Sequence, residues 1–227
     1  MKKLISNYIQ TNKRIELKEV FNIQDKFLID RAINISRFSF QKSFPDRTVN
    51  SVYFDTFDFK ALEDSLEGGS IRKKTRIRWY GNGKESTNAT CEIKIKHGHL
   101  SWKKLFPDSH LVCPIANSWS KFVSTHIKND SLEFHMQNLF PKSIVSYKRS
   151  YFNSFDKRVR LTIDHNLMSY PQYNSLVPNF RFNEYHYGNI IFEIKIDEDN
   201  FSILKEVLKD LPFSSTRFSK YCESIKR

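Results

Sequence analysis

Six separate segments of this 227-residue chain alternate in the same way, with arginine, lysine and glutamate on one face and apolar residues on the other. Arg14-Ile15-Glu16-Leu17-Lys18 opens the series, followed by Lys74-Thr75-Arg76-Ile77-Arg78-Trp79-Tyr80 and Cys91-Glu92-Ile93-Lys94-Ile95-Lys96. Ser146-Tyr147-Lys148-Arg149-Ser150-Tyr151, Arg158-Val159-Arg160-Leu161-Thr162-Ile163-Asp164 and Ile191-Phe192-Glu193-Ile194-Lys195-Ile196 complete it. Side chains of these types suit a polyphosphate: Arg takes phosphate oxygens in pairs, and Lys meets them as a point charge. Carboxylates on the same faces can hold Mg²⁺ or Mn²⁺ through oxygen ligands. The candidate clamps are Lys18, Arg76, Arg78, Lys94, Arg149, Arg160 and Lys195, which Lys103 and Lys220 can join. The candidate metal ligands are Glu16, Glu92 and Glu193. Phosphoryl transfer asks for little more than such clamps, a divalent metal and an in-line nucleophile.

Period-two alternation identifies the segments that carry these residues as half-buried β-strands. Taken singly, an Arg-x-Arg strand is usually a solvated face, and a Glu-x-Lys strand a cross-strand ion pair. Recurrence on several strands changes that reading, because a surface sheet with so few neutral outward residues is unusual. Closed into one barrel, six such strands give a lumen lined by cations and a few acids. The apolar exterior must then be covered, and the helices are the available cover. Gln24 to Ser36 and Asp58 to Leu66 read as helices, the second ended by Gly68-Gly69. Two more are expected between Ile115 and Leu139, then Asn200 to Lys209 and a short one around Arg217 to Ile225. Val49 to Asp55 reads as a further strand, and Leu100 to Leu105 follows a tight turn at Gly98. Hairpin signals stand at Gly81-Asn82-Gly83 and Asp156-Lys157, and Ser169 to Gly188 reads as a long loop. Strands and helices interleave without a regular βαβ rhythm, so the fold class is α+β with antiparallel pairing, in a single domain over residues 1–227.

Composition bounds the partner. A net charge of +12 points to a polyanion: nucleic acid, an acidic membrane surface or phosphate esters. Single-strand nucleic-acid binders display aromatic residues beside the cations. Here Ile77, Trp79, Ile93, Ile95, Leu161, Ile163, Phe192 and Ile194 alternate with them, as core residues do. Three cysteines without Cys-x-x-Cys spacing, and no signal peptide, suggest a reducing cytoplasmic setting. No apolar run reaches the roughly 20 residues of a membrane span, and an outer-membrane barrel does not suit so cationic a lumen. There is no Gly-x-x-x-x-Gly-Lys-Ser/Thr loop, and His97-Gly98-His99 reads as a plain turn rather than a metal pair.

Taken in order, several short motifs resemble the VTC domain, the polyphosphate polymerase branch of the triphosphate tunnel metalloenzymes. They are Arg14-x-Glu16-x-Lys18, Ser51-Val52-Tyr53-Phe54-Asp55, Arg76-Ile77-Arg78-Trp79-Tyr80-Gly81, Glu92-Ile93-Lys94-x-Lys96, Tyr147-Lys148-Arg149-Ser150-Tyr151, Arg158-x-Arg160-x-Thr162-x-Asp164, Glu193-Ile194-Lys195 and Ser219-Lys220-Tyr221. The resemblance implies a closed antiparallel eight-stranded β-barrel with flanking helices. It also implies transfer of the γ-phosphate of ATP onto inorganic polyphosphate, with Mn²⁺ or Mg²⁺ as cofactor. Lys18, Arg76, Arg78, Lys94, Arg149 and Lys220 match the phosphate-binding basic positions that make up the catalytic set. Lys103 matches less firmly, since Lys104 competes for the position; Lys96, Arg160 and Lys195 are further phosphate ligands. Glu193 matches the metal-binding glutamate, with Glu16 a second candidate for the metal or for orienting water. Arg14 stands where simple triphosphatases of the superfamily carry the first Glu of Glu-x-Glu-x-Lys, which favours the polymerase branch. The expected partners are ATP and polyphosphate rather than nucleic acid. The membrane segments that accompany the domain in eukaryotic members are not seen in this sequence, so delivery across a membrane would need a membrane-protein partner. Two other functions stay open: a triphosphatase or polyphosphatase, and a non-catalytic binding module for polyphosphate or inositol phosphates.

Overall fold

In the computed structural model the described residues are 8–81, 89–111, 118–121, 127, 130–173, 175–182 and 184–226, with backbone alone for 107–111. The chain forms β1 (Ile9–Gln10), β2 (Arg14–Asn22), α1 (Lys26–Ile35), β3 (Gln41–Asp55), α2 (Lys60–Leu66), β4 (Ile71–Tyr80), β5 (Ala89–His97) and β6 (Leu100–Leu111). It continues with α3 (Asp130–Met136), β7 (Phe140–Asn153), β8 (Val159–Pro171), β9 (Tyr185–Tyr187), β10 (Asn189–Asp197), α4 (Leu204–Asp210) and α5 (Lys220–Ile225). Eight strands pair antiparallel in the order β2-β10-β8-β7-β3-β4-β5-β6, and β6 returns to β2 to close a barrel. Among the described residues no helix is long and apolar enough to cross a membrane.

The seams are unequal. β10 pairs with all nine residues of β2, whereas β6 meets β2 at only Arg14↔Ser101 and Ile15↔Leu100. Above that contact β1 takes over the β6 edge, at Ile9↔Leu105 and Gln10↔Lys104. Alongside the rest of β2 runs the segment before α5: the Thr216 amide donates to the Lys18 carbonyl, and Ser214 donates to the Glu19 carboxylate.

The period-two pattern sorts the side chains as the sequence leads one to expect, with apolar residues outward. One outer cluster joins Val52, Ile77, Trp79, Ile93 and Ile144 beneath Trp119, Leu132 and Met136. The other joins Leu161, Phe192 and Ile194 beneath Ile29 and Ile33 of α1 and Val207 of α4. Full burial of a large apolar side chain stabilises a fold by roughly 1.5–3 kcal/mol, and helices supply that burial on the barrel exterior. A third cluster lies inside the barrel: Val49, Tyr53, Val145, Tyr147, Leu167 and Ile191 face Tyr221 and Cys222 of α5. The C-terminal helix thus covers one end of the lumen. Asp55 fixes it there, accepting from the Ala61 and Leu62 amides of α2 and from the Tyr221 hydroxyl.

Several boundaries depart from the sequence reading. β3 starts at Gln41 rather than Val49 and bends through irregularities on either side of Phe44. Ser169–Gly188 is not wholly loop, because β8 runs to Pro171 and β9 pairs with it. Asn200–Lys209 begins as 3-10 turns over Glu198–Ile203 and becomes α4 at Leu204. Gly68 does end α2: with φ +78 it lets the Gly69 amide reach the Asp64 carbonyl, as a Schellman cap requires. Gly98, with φ +56, makes the two-residue turn between β5 and β6. Between Ile115 and Leu139 the described residues hold helix at 119–121 and α3, while residues 82–88 of the Gly81-Asn82-Gly83 turn and Cys113 lie outside the described residues.

Candidate active site

The lumen holds a cavity of about 800 Å³. Twelve of the thirteen residues singled out by sequence line it, Glu92 being the exception: Lys18, Arg76, Arg78, Lys94, Arg149 and Lys220; Lys103, Lys96, Arg160 and Lys195; Glu193 and Glu16. Among the described residues fifteen Arg and Lys side chains line the cavity against three Glu, a surplus suited only to an anionic guest.

Parity on the strands decides which side chains enter. On β6 Lys103 points inward, 3.1 Å from Glu92, while Lys104 points outward over the ring of Tyr8 at 4.3 Å. Of the two, Lys103 is the one that lines the cavity. On β4 Arg76 grips one oxygen of Glu92 through Nε at 2.8 Å and Nη2 at 2.6 Å. Arg78 is 4.0 Å from the same carboxylate and donates to the Tyr147 hydroxyl at 3.3 Å, across to β7. Glu92, one of the sequence candidates for a metal ligand, thus sits behind Arg76 and Lys103 as their counter-ion and does not line the cavity.

The β2–β10–β8–β7 wall carries the other acids. Antiparallel register sets Glu193 beside Lys18 and Lys195 beside Glu16. Glu193 lies 3.1 Å from Lys195, 3.6 Å from Arg149 and 4.0 Å from Lys18, and the Thr162 hydroxyl reaches it at 3.5 Å. Burial opposes its ionisation, but Lys195, Lys18, Lys94 and Arg149 together hold the carboxyl well below the usual range. Burial likewise opposes ionisation of Glu16, and Lys94, Arg14 and Lys195 together outweigh it; Lys94 bonds Glu16 from β5. The lysines respond oppositely. Burial drives Lys18 down to about 7, with Glu193 offsetting only part of the effect, and Lys195 down to about 8.

At the covered end, Asp164 is fully buried and binds Arg149 through two contacts, Nε at 2.5 Å and Nη2 at 2.7 Å. The same carboxylate holds Lys220 of α5 at 2.6 Å; burial disfavours that ammonium, but Asp164, with Tyr147 and Glu193, raises it above its ordinary value. Lys18 donates to the Phe218 carbonyl at 3.1 Å and Lys74 to the Ser219 hydroxyl at 2.7 Å, so the start of α5 gathers three lysines.

Asp164 and Lys74 were not singled out from sequence, although Asp164 shares the parity of Arg160 and Lys74 that of Arg76. Tyr53 and Tyr147 were missed as well; their hydroxyls accept from Arg76 at 3.3 Å and Arg78 at 3.3 Å. Arg160 lies at the rim, bonded to Asp197 at 2.6 Å, and Lys96 stands near Arg72, away from the Glu193 wall. Cys222 is buried with its Sγ 3.7 Å from Lys74. Cys91 is buried on the outer face, and burial pushes its thiol upward. His97 and Gly98 stand at the β5–β6 turn, as expected.

Among the described residues no three His, Cys, Asp or Glu side chains gather in a nest of their own for a metal. Of the three described glutamates that line the basic cavity, Glu193 and Glu16 stand on the barrel strands and Glu223 on α5. That donor set fits a hard cation which takes one or two carboxylates and completes its shell with phosphate oxygens and water.

No curated protein sequence matches the chain closely enough to count as a relative. Among solved structures, a putative adenylyl cyclase from Hippeastrum with a dominant triphosphatase activity aligns over 94% of this chain and 95% of its own, at 13% identity and a TM-score of 0.52. The PH1819 protein of Pyrococcus horikoshii aligns over 94% of this chain and 98% of its own, at 11% identity and a TM-score of 0.48. At such identities the first match speaks to the fold alone. The sequence itself is more decisive: residues 14–227, nearly the whole barrel and its C-terminal helix, match the model of the VTC domain, and the chain belongs to that family.

Proposed function

We propose that the protein transfers the γ-phosphoryl group of ATP to a growing inorganic polyphosphate chain inside this cavity, with Mg²⁺ or Mn²⁺. The observation that carries the reading is the convergence, among the described residues, of fifteen Arg and Lys side chains on one cavity that three Glu line. Arg76, Arg78 and Arg149 are held rigid by Glu92, Tyr147 and Asp164, so their remaining N–H groups are preorganised for phosphate oxygens. Lys18, Lys94, Lys103, Lys195 and Lys220 add point charges where negative charge spreads over the transferring group. Glu193, with Glu16 as second carboxylate, would hold the metal, which when bound neutralises charge on the phosphate oxygens. A terminal oxygen of the polyphosphate chain attacks the γ-phosphorus in line, and ADP departs. No protein nucleophile is needed.

A second reading has its own support. Glu16 and Glu193 are near enough to repel one another in the lumen, and a carboxylate there can orient a water molecule. With water as the attacker the same cradle is a triphosphatase. Incubation with ATP and Mn²⁺ separates the two: polymer formed in step with ADP supports the transferase, and free phosphate without polymer supports the hydrolase. Tight tripolyphosphate binding with no turnover would overturn both and leave a phosphate-binding module. In either catalytic case Glu193→Ala should abolish turnover.

A further inference from the structure

The uncovered end of the lumen differs from its depth in the kind of side chain it presents. Along β7 the inward series runs Tyr147, Arg149, Tyr151, Asn153, and all four line the cavity. Beside them β3 pairs Phe44 with Tyr151, but the ladder is irregular between Lys42 and Phe44 and again between Phe44 and Arg47. Such irregularities re-aim side chains, and they cluster beside binding sites. Here they turn the ring of Phe44 over the mouth, where it lines the cavity while remaining 51% exposed. Phe182 is more exposed still, at 74%, yet lines no part of the cavity.

Phe44 meets Tyr151 edge-on, with ring centroids 5.7 Å apart. The guanidinium of Arg47 lies over Phe44 at 4.8 Å and over both Tyr80 and Tyr151 at 5.7 Å. An exposed ring beside a guanidinium fixed by three aromatic faces is a platform for a flat, electron-rich ligand. It stands one step outside the phosphate cradle: Tyr151 and Arg149 are two residues apart on one strand, roughly 7 Å. A ribose spans that gap between a base and its α-phosphate.

We propose that Phe44, Arg47, Tyr80 and Tyr151 form a nucleobase subsite at the mouth, which stacks the purine of a nucleoside triphosphate whose phosphates run inward past Arg149. The inference rests on a nucleotide being the phosphoryl donor. Stacking reads the face of a base and not its hydrogen-bonding edge, so adenine and guanine are accepted alike and pyrimidines less well.

The test compares binding of β,γ-imido-ATP with Mg²⁺ against tripolyphosphate with Mg²⁺, which has the charge but no base. Phe44→Ala should weaken the nucleotide analogue by about 5- to 100-fold and leave tripolyphosphate within about twofold, with Phe44→Trp restoring the loss. Equal shifts for both ligands, or no shift for either, would overturn the subsite while leaving the phosphate cradle intact. Base-dependent binding without polymer synthesis from ATP would overturn the transferase and keep the subsite. Binding of neither ligand by the unaltered protein would overturn both.

Discussion

Two glutamates in this barrel have the same burial and different company. Glu92, on the β4–β5–β6 wall, is clasped by two nitrogens of Arg76 and by Lys103 at 3.1 Å, and Arg76 screens it from the cavity. Glu193, on the opposite wall, has no two-pronged arginine, and its contacts lengthen from 3.1 to 3.6 and 4.0 Å. Its Oε1 faces Lys18 at the longest of these distances. Arg149, the arginine nearest to Glu193, spends its fork on Asp164 instead. The first wall uses its acid to hold cations in place. The second leaves its acid loosely held, which is what a carboxylate needs if it is to turn toward a metal.

Removing each acid should break this comparison in opposite ways. Glu92→Gln strands Arg76 and Lys103 without their counter-ion and is expected to destabilise the fold by about 3–5 kcal/mol, read by denaturant unfolding. Tripolyphosphate should restore most of the loss, because it supplies the missing negative charge. Glu193→Gln should lower turnover by about 100-fold or more while costing less stability than Glu92→Gln, because its contacts are longer and its cations keep other partners in Thr162, Phe218 and Asp164. A Glu193→Gln protein that unfolds as readily as Glu92→Gln would show both acids to be structural.

The lysines of the second wall sharpen the contrast through pH. Lys18 titrates at about 7 and Lys195 at about 8 in the unliganded protein, and a bound polyanion must raise both. Metal-free tripolyphosphate binding at pH 8 should therefore take up about one proton, seen by calorimetry in buffers of different ionisation heat. Affinity is full below about pH 7 and falls as the pH rises past the free-protein values. Stability of the unliganded fold runs the other way: it rises from about pH 7 toward the ordinary lysine value, because the unfolded chain holds more protons there. Enthalpies that do not depend on the buffer would reject the depressed ammonium groups. The smallest effect belongs to the covered end. Tyr221→Phe removes one donor from Asp55, which keeps its backbone partners, and should cost about 1 kcal/mol without altering phosphate affinity.

Strand parity made the site legible. Once Arg76 and Arg78 are known to share a face, their common destination follows, and the same holds for Glu193 and Lys195. What stayed hidden depends on register between distant segments. Asp164 serves Arg149 and Lys220 only because β8 pairs with β7 and α5 closes beneath them. Lys103 could not be told from Lys104 until the β5–β6 register was fixed, since a slip of one residue exchanges the faces. The first half of β3, charged and interrupted by Pro45, lacks a strand pattern and owes its pairing to β7. β9 is three residues long and takes its place from β8.

The narrow seam of β2 bears on how such a barrel comes into being. β2 emerges early in synthesis, but its nine-residue partner β10 is made only at residues 189–197, and the Phe218 carbonyl that anchors Lys18 lies 200 residues downstream. Contacts of such sequence separation form late and slow folding. A nascent chain therefore carries β2 unsheltered on one side until β10 and the segment before α5 have been made. The lumen is completed in one late step, when α5 docks.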